Sequence, residues 1–373
     1  MAEQKTAVKR PFSHPLYGSS FSNLRKLLKQ NRPVDSKYWL QLATAYGSSI
    51  FRAPASAIER MVASRKINKI KDMKPPIFIV GHWRSGTTHI CNVLSKASQF
   101  GFVSPIATGI PWDILLIGKT FRPMLEKSLP TDRLIDRVKV SPDAPQEDEF
   151  GIANMFHVSF LHGLYFPQNF HENFTKGIFL ESCSEEEIAQ WKRTFKYYLQ
   201  KVYLDQQEKQ LLIRNPAYTT RIKEIKAIFP GAKFIHIYRN PYVLFHSMSN
   251  YFRKLFPALA FQDYSHIDTD KFILENYTKM MNKIIEDAKD MQEDEFIEVK
   301  YEDLEQQPFQ QLEKVYNQLK LKDYDVDLPR FQTYLESISG YKKNAYQQPP
   351  EVISMINENW GSFISHWGYE RKS

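Results

Sequence analysis

The stretch "PIFIVGHWRSGTTHI", residues 76–90, decides the fold. Ile77 to Val80 run without a polar break, the pattern of a strand buried on both faces of a parallel sheet. Gly81 ends the run, and Gly86 opens "TTHICNVLSKA" (87–97), whose apolar residues fall at helical spacing. A strand, a glycine loop and a helix in that order aim backbone N–H groups and a positive helix end at an anion. The spacing from Gly81 to Gly86 is that of a phosphate loop. Where a nucleotide triphosphatase places lysine, after the second glycine, this chain has Thr87. The cation sits inside the loop, at Arg84.

Outward from this loop the same form recurs. "QLLIRNP" (210–216) leads into "TTRIKEIKAIF", and "KFIHIYRNP" (233–241) into "YVLFHSMSNYFRKL". A fourth candidate, "EFIEVKYEDL" (295–304), precedes "FQQLEKVYNQLKL". Strands alternating with helices predict an α/β fold: a P-loop-like parallel sheet flanked by helices, with ligands at the strands' C-terminal ends. Residues 105–205 are mostly helical in pattern and are expected to form a cap on the acceptor side. Upstream, "FSNLRKLLKQN", "SKYWLQLATAYGSSIF" and "SAIERMVASRKINKIKDM" carry helical spacing until Pro75-Pro76 interrupts it. The expected organisation is a helical N-terminal extension, 1–74, and one α/β domain, 75–373.

The chain has 373 residues, 42% of them hydrophobic, enough for a sizeable core. Its net charge of +8 suits a polyanionic ligand or an anionic membrane, or is simply a solvated basic surface. No Lys/Arg tail and no RNA- or DNA-reading motif accompanies it, so nucleic acid is not an expected partner. Cys91 and Cys183 have no metal-ligand spacing and read as free thiols of a reducing compartment. "MAEQKTAVKRPFSHPLYGSS" lacks the apolar core of a signal peptide. No run approaches the roughly 18 apolar residues of a spanning helix. The expected location is cytoplasmic, with peripheral contact to a membrane left open. "WDILLIGKTF" (112–121), apolar but short and broken by Lys119, is a segment for resting against lipid or for packing inside. The oligomeric state is not readable.

Two clusters carry the chemistry. Beside the glycine loop, "YRNPYVLFHSMSNYF" ends a strand in Arg239 and places Ser247 eight residues on. An arginine fork and a hydroxyl near a helix start suit a second phosphate. The ligand then carries two separated anionic groups. The candidate strands of "QLLIRNP" and "KFIHIYRNP" end in Arg214 and Arg239, and neither ends in the Asp that would organise magnesium. A nucleotide kinase and a non-catalytic basic binding protein are the competing readings.

On these residues the chain resembles the sulfotransferases. "GHWRSGTTHI" is similar to their 5'-phosphosulfate loop, with the R-S-G-T-T core intact, and "YRNPYVLFHSMSNYF" to their 3'-phosphate segment. "LLIRNPAYTTRI" and "VKYEDLEQQP" resemble recurring segments of the bacterial-type, Golgi-like branch. The resemblance covers roughly residues 75–320. It implies 3'-phosphoadenosine 5'-phosphosulfate as donor, and with no acid after the partner strands and no metal-ligand cluster in the sequence no metal is expected. Arg84, Ser85, Gly86, Thr87 and Thr88 would wrap the phosphosulfate, Arg239 and Ser247 would hold the 3'-phosphate, and His89 would lie against adenine. "GYKKNAYQ" (340–347) stands at about the place of the family's basic covering loop, without its Arg-Lys-Gly, and offers Lys342 and Lys343.

Sulfonate transfer develops negative charge that fixed cations and N–H groups must meet. Arg84 and Arg214, the latter where relatives often carry lysine, are the expected catalytic cations. The acceptor's proton needs a base. "SPDAPQEDEFGIANM" (141–155) resembles the acidic segment of bacterial-type sulfotransferases and offers Glu147 or Glu149, with His82 and His157 as rivals. Acids also gather at helix starts because the helix dipole favours them. The aromatic stretch "MFHVSFLHGLYFPQNF" (155–170) is either core or an apolar acceptor pocket. A lipid, a phenol, a glycan and a small alcohol all stay open as acceptors.

Overall fold

The run Ile77–Val80 is the central strand, β1, of a five-stranded parallel sheet in a computed structural model that describes residues 14–129, 141–339 and 348–373. The "GYKKNAYQ" stretch, with Lys342 and Lys343, lies outside the described residues. The other strands are β2 (Phe100–Phe102), β3 (Gln210–Arg214), β4 (Lys233–Tyr238) and β5 (Phe296–Lys300). Their order is β2-β3-β1-β4-β5. Chain connections therefore leave β1 toward both sides, and the crevice at its C-terminal end is the switch point where such folds bind ligands. Register brings Ile79 beside Arg214 on one side and beside Ile235 on the other.

All four residues of β1 are buried because each face of the sheet is covered. Phe78 and Val80 point into one core, with Trp191, Phe195 and Tyr218; Ile77 and Ile79 point into another, with Ile90, Leu94 and Ile237. That alternation is the period of two of a strand, and each such side chain stabilises by about 1.5–3 kcal/mol. The short β2 escaped sequence reading. The fourth candidate strand ends at Lys300, so Tyr301 begins a helix, Tyr301–Gln306.

Between β2 and β3 a series of mostly short helices runs from Pro105–Gly109 to Glu185–Asp205. Ser184 and Glu187 start the long last helix with a reciprocal capping box. The aromatic stretch 155–170 is core: Phe160, Tyr165 and Phe166 are fully buried. The N-terminal helices Phe21–Gln30 and Trp39–Ile67 place Leu24, Leu27 and Ala45 in the same core as Phe78. Buried Glu59 on the second helix pairs with Lys201 at 2.5 Å and accepts from the amides of Leu115 and Leu116. Lys201 donates in turn to the carbonyls of Pro111 and Trp112, so this buried pair is satisfied on both sides.

Candidate active site

Gly81 and Gly86 bracket the loop after β1 with φ of 139° and 110°. A side chain at Gly81 would overlap the Ile237 carbonyl, and one at Gly86 would overlap the Tyr301 ring. Glycine is thus required twice, by conformation and by space. Arg84 between them also has positive φ, at 69°. The Gly81 amide donates to Thr219 Oγ1 at 2.8 Å, and Trp83 wedges against Phe160 and Phe174. The helix Thr87–Leu94 follows, with its first N–H groups pointing out of its end toward the crevice. Ser85 is fully buried, and its hydroxyl finds no hydrogen-bond partner among the described residues.

The second cluster meets the first. Arg84 Nε donates to Ser247 Oγ at 2.9 Å, and Arg239 donates to the Arg84 carbonyl at 3.3 Å. Asn240 caps the helix Pro241–Leu259 through the amides of Tyr242 and Val243. Ser247 lies in the second turn of that helix rather than at its start. The Arg239 guanidinium stacks 4.2 Å from the centroid of the Tyr301 ring. Tyr301 also lies edge-on to His89, with centroids 6.2 Å apart. It therefore touches Gly86, His89 and Arg239, and sequence reasoning gave it no role.

Arg214 brings in the acidic segment. It pairs with Ile79 of β1 on one side; on the other, where β2 has already ended, Glu147 forms an isolated parallel bridge with it. Their side chains approach to 3.5 Å, and Arg214 also donates to Thr88 Oγ1 at 3.1 Å. Glu147 thus sits on the sheet's C-terminal edge, two residues ahead of the helix Glu149–Met155. Its side chain is 13% exposed.

The next two acids point inward. Asp148 and Glu149 are fully buried and share the Asn215 side-chain amide, at 3.0 and 2.8 Å. Asp148 also accepts from the Tyr218 hydroxyl. Burial pushes the Asp148 carboxyl up to about 8, against the pull of the Tyr218 bond, with Glu149 nearby adding to the rise. Burial raises Glu149 as well, opposed by Arg221. Both rival histidines are held low by burial. His82 sits at about 4 with Nδ1 on the Trp83 carbonyl. His157 makes a 2.9 Å contact with Glu187.

A glycine loop, a helix start and strand-end arginines at the switch point of a parallel sheet define a P-loop-like α/β transferase that acts on an anionic group. The chain belongs to the sulfotransferase family, whose profile matches residues 75–325. It is 31% identical over 364 residues, 97% of this chain and 93% of the relative, to an omega-hydroxy-beta-dihydromenaquinone-9 sulfotransferase, Stf3, of Mycobacterium bovis. The Mycobacterium tuberculosis protein of that name matches to the same extent. Crystal structures of sulfotransferases share the fold. STF9 from Mycobacterium avium superposes with a TM-score of 0.66 at 13% identity, over 95% of this chain and 97% of that one. STF1 from Mycobacterium tuberculosis gives 0.59 at 12% identity, over 95% and 94%. The protein is a sulfotransferase of the bacterial type. The kinase and the non-catalytic readings are set aside.

Proposed function

We propose that the protein transfers a sulfonate group from 3'-phosphoadenosine 5'-phosphosulfate to a hydroxyl of a lipid-like acceptor. The observation that carries the donor is the meeting of Arg84, Arg239 and Ser247 beside an open helix start. It offers two neighbouring anion sites, and the partnerless Ser85 hydroxyl leaves the loop with a donor to spare. In this reading Arg84, Ser85, Gly86, Thr87 and Thr88 hold the phosphosulfate and Arg239 with Ser247 holds the 3'-phosphate. His89 and Tyr301 flank the adenine side, and the resemblance keeps Lys342 and Lys343 as candidates over the nucleotide.

Glu147 is the proposed base. It takes the acceptor's proton while the acceptor oxygen bonds to sulfur and the bond from sulfur to the phosphate oxygen breaks. The electron pair stays on that phosphate oxygen, where Arg84 and the N–H groups of the loop meet it. Preorganised donors of this kind contribute about 3 kcal/mol each. Arg214, bonded to both Glu147 and Thr88, fixes the base relative to the loop and braces the moving sulfonate. Glu149, buried on Asn215, supports the segment from behind.

The acceptor class rests on the mycobacterial relatives, which are named as sulfotransferases of an omega-hydroxylated dihydromenaquinone. Incubation with labelled donor and a lipid extract, followed by mass analysis, tests it. The expected product is an organic-phase species heavier by one SO3. Label found only on water-soluble acceptors rejects the lipid while leaving the donor intact. Equal affinity for 3'-phosphoadenosine 5'-phosphate and 5'-AMP rejects the donor.

A further inference from the structure

The helix Trp39–Ile67 carries apolar residues on both of its faces. Its inner face, with Leu42, Ala45 and Ala63, is buried, as a helix packed on a core must be. Its outer face should then be polar. Instead Leu40, Ile50, Phe51, Ile58, Met61 and Val62 stand in solvent, Phe51 at 87% and Leu40 at 70% exposure. At 100° per residue these positions fall within one arc of about 120°, opposite the buried one. Ala43, Gly47 and Pro54 lie in the same arc, with Thr44 and Arg65 as its polar members. From Leu40 to Val62 this ridge is about 35 Å long.

The neighbouring segment, packed against the inner side of this helix, also exposes apolar side chains. Glu59 accepts the amides of Leu115 and Leu116, and Arg60 stacks over the Trp112 ring at 5.1 Å. Leu116 is itself exposed, and Phe121 and Met124 follow it with exposures of 49% and 63%. This is the 112–121 stretch whose sequence fitted either lipid or core.

Charge selects the occupant. The helix carries one acid, Glu59, which is buried on Lys201, so its exposed surface has none. Exposed bases gather at its C-terminal end, Arg65, Lys66 and Lys69, whereas Lys37 before its start is paired with Asp35 at 3.6 Å. Two copies of this face would oppose like charges. An anionic bilayer surface supplies the complement, with the apolar ridge entering between headgroups and the long basic side chains reaching the phosphates. The opposite face is fixed in the protein's core, so the helix lies on the membrane. Consistently, no helix among the described residues is long and apolar enough to cross one.

We propose that this ridge docks the protein on the surface of a bilayer rich in anionic lipid. The inference stands apart from the identity of the acceptor and is tested without catalysis. The full-length protein is sedimented with vesicles of phosphatidylcholine alone or with one third phosphatidylglycerol, at low and at high salt. The expected result is binding to the anionic vesicles that weakens with salt. The double substitution Phe51→Ser with Ile58→Ser should lower partitioning by about tenfold or more, the effect of removing one large apolar group from a nonpolar phase. Arg65→Glu with Lys66→Glu should abolish only the preference for anionic lipid. Thermal melting and nucleotide binding like wild type establish that both variants are folded. Wild-type protein that stays in the supernatant with either vesicle overturns the proposal. So does a concentration-dependent dimer that Phe51→Ser dissociates, which would give the face to a second copy.

Discussion

Arg84 Nε donates to Ser247 Oγ at 2.9 Å, joining the loop after β1 to the helix after β4 across 163 residues of chain. The proposed phosphosulfate and 3'-phosphate clusters are thus one hydrogen-bonded unit. Arg84→Ala should lower kcat by about 10²–10³-fold, the usual effect of removing one preorganised donor. Arg84→Lys should recover part of it, since lysine restores the charge without the planar fork that reaches Ser247. Steady-state rates at saturating donor check this, and equal rates for wild type and Arg84→Ala would remove Arg84 from the chemistry.

Arg239 is held by stacking on Tyr301, 4.2 Å away, and by the Arg84 carbonyl. Wild-type protein is expected to bind 3'-phosphoadenosine 5'-phosphate at least about tenfold more tightly than 5'-AMP, since a charge-assisted bond contributes about 1.5–3 kcal/mol. Arg239→Ala should erase the preference. Tyr301→Leu should reduce it in part, and Tyr301→Phe, which keeps the ring, should preserve it. Titration calorimetry with the two nucleotides reads the ratio directly.

EDTA treatment should leave turnover unchanged. Thr87 fills the position of the phosphate-loop lysine, and arginines stand where a magnesium-organising Asp would end a strand. Loss of activity on chelation, with rescue by magnesium, is the opposing result.

What the sequence made legible is local. Ile77–Val80, Gly81 and Gly86 could be read because an unbroken apolar run and two glycines are dictated by burial and backbone conformation within a few residues. β2 could not, because Phe100–Phe102 is too short to show a period. The Glu147–Arg214 bridge and the Arg84–Ser247 bond join positions 67 and 163 residues apart, and no spacing rule reports such contacts. Tyr301 was visible in "VKYEDL", but its role depends on Gly86 leaving room for its ring. The outer face of Trp39–Ile67 was hidden for the opposite reason. Apolar residues on both sides blur the helical period that separates core from solvent.

Asp148 gives a pH signature. With its carboxyl pushed up to about 8 in the folded chain, the fold binds a proton that the unfolded chain releases near the ordinary aspartate value. Its contribution to stability is therefore full below the ordinary aspartate value, declines as pH rises from there to about 8, and is gone above it. Asp148→Asn imitates the protonated form and still offers Asn215 an acceptor. Melting curves from pH 5 to 8 should fall less steeply for this variant, by roughly a few degrees over the range. Parallel slopes for variant and wild type would show that Asp148 is ionised in the fold.

The proposed base divides two neighbouring glutamates by their surroundings. Glu147 stands on the sheet's C-terminal edge, part-exposed and paired with Arg214, whose other bond is to Thr88 of the donor loop. Glu149 begins a helix two residues later with its side chain fully buried on Asn215. Burial raises its carboxyl above the usual range, opposed by Arg221, and fully buried it is shut away from an acceptor in the crevice. Glu147→Gln should lower turnover by about 10²–10⁴-fold, the range of a general base, with nucleotide affinity nearly unchanged. Glu149→Gln imitates the neutral acid and should keep turnover within about tenfold of wild type, its effect being on melting temperature instead. Single-turnover rates with bound donor separate the chemical step from acceptor binding. If Glu149→Gln is the dead variant and Glu147→Gln the active one, the inward carboxyl is the base and the Arg214 pair is only a strut. If both stay active, the proton leaves by another group, and His157 beside Glu187 is the first to replace.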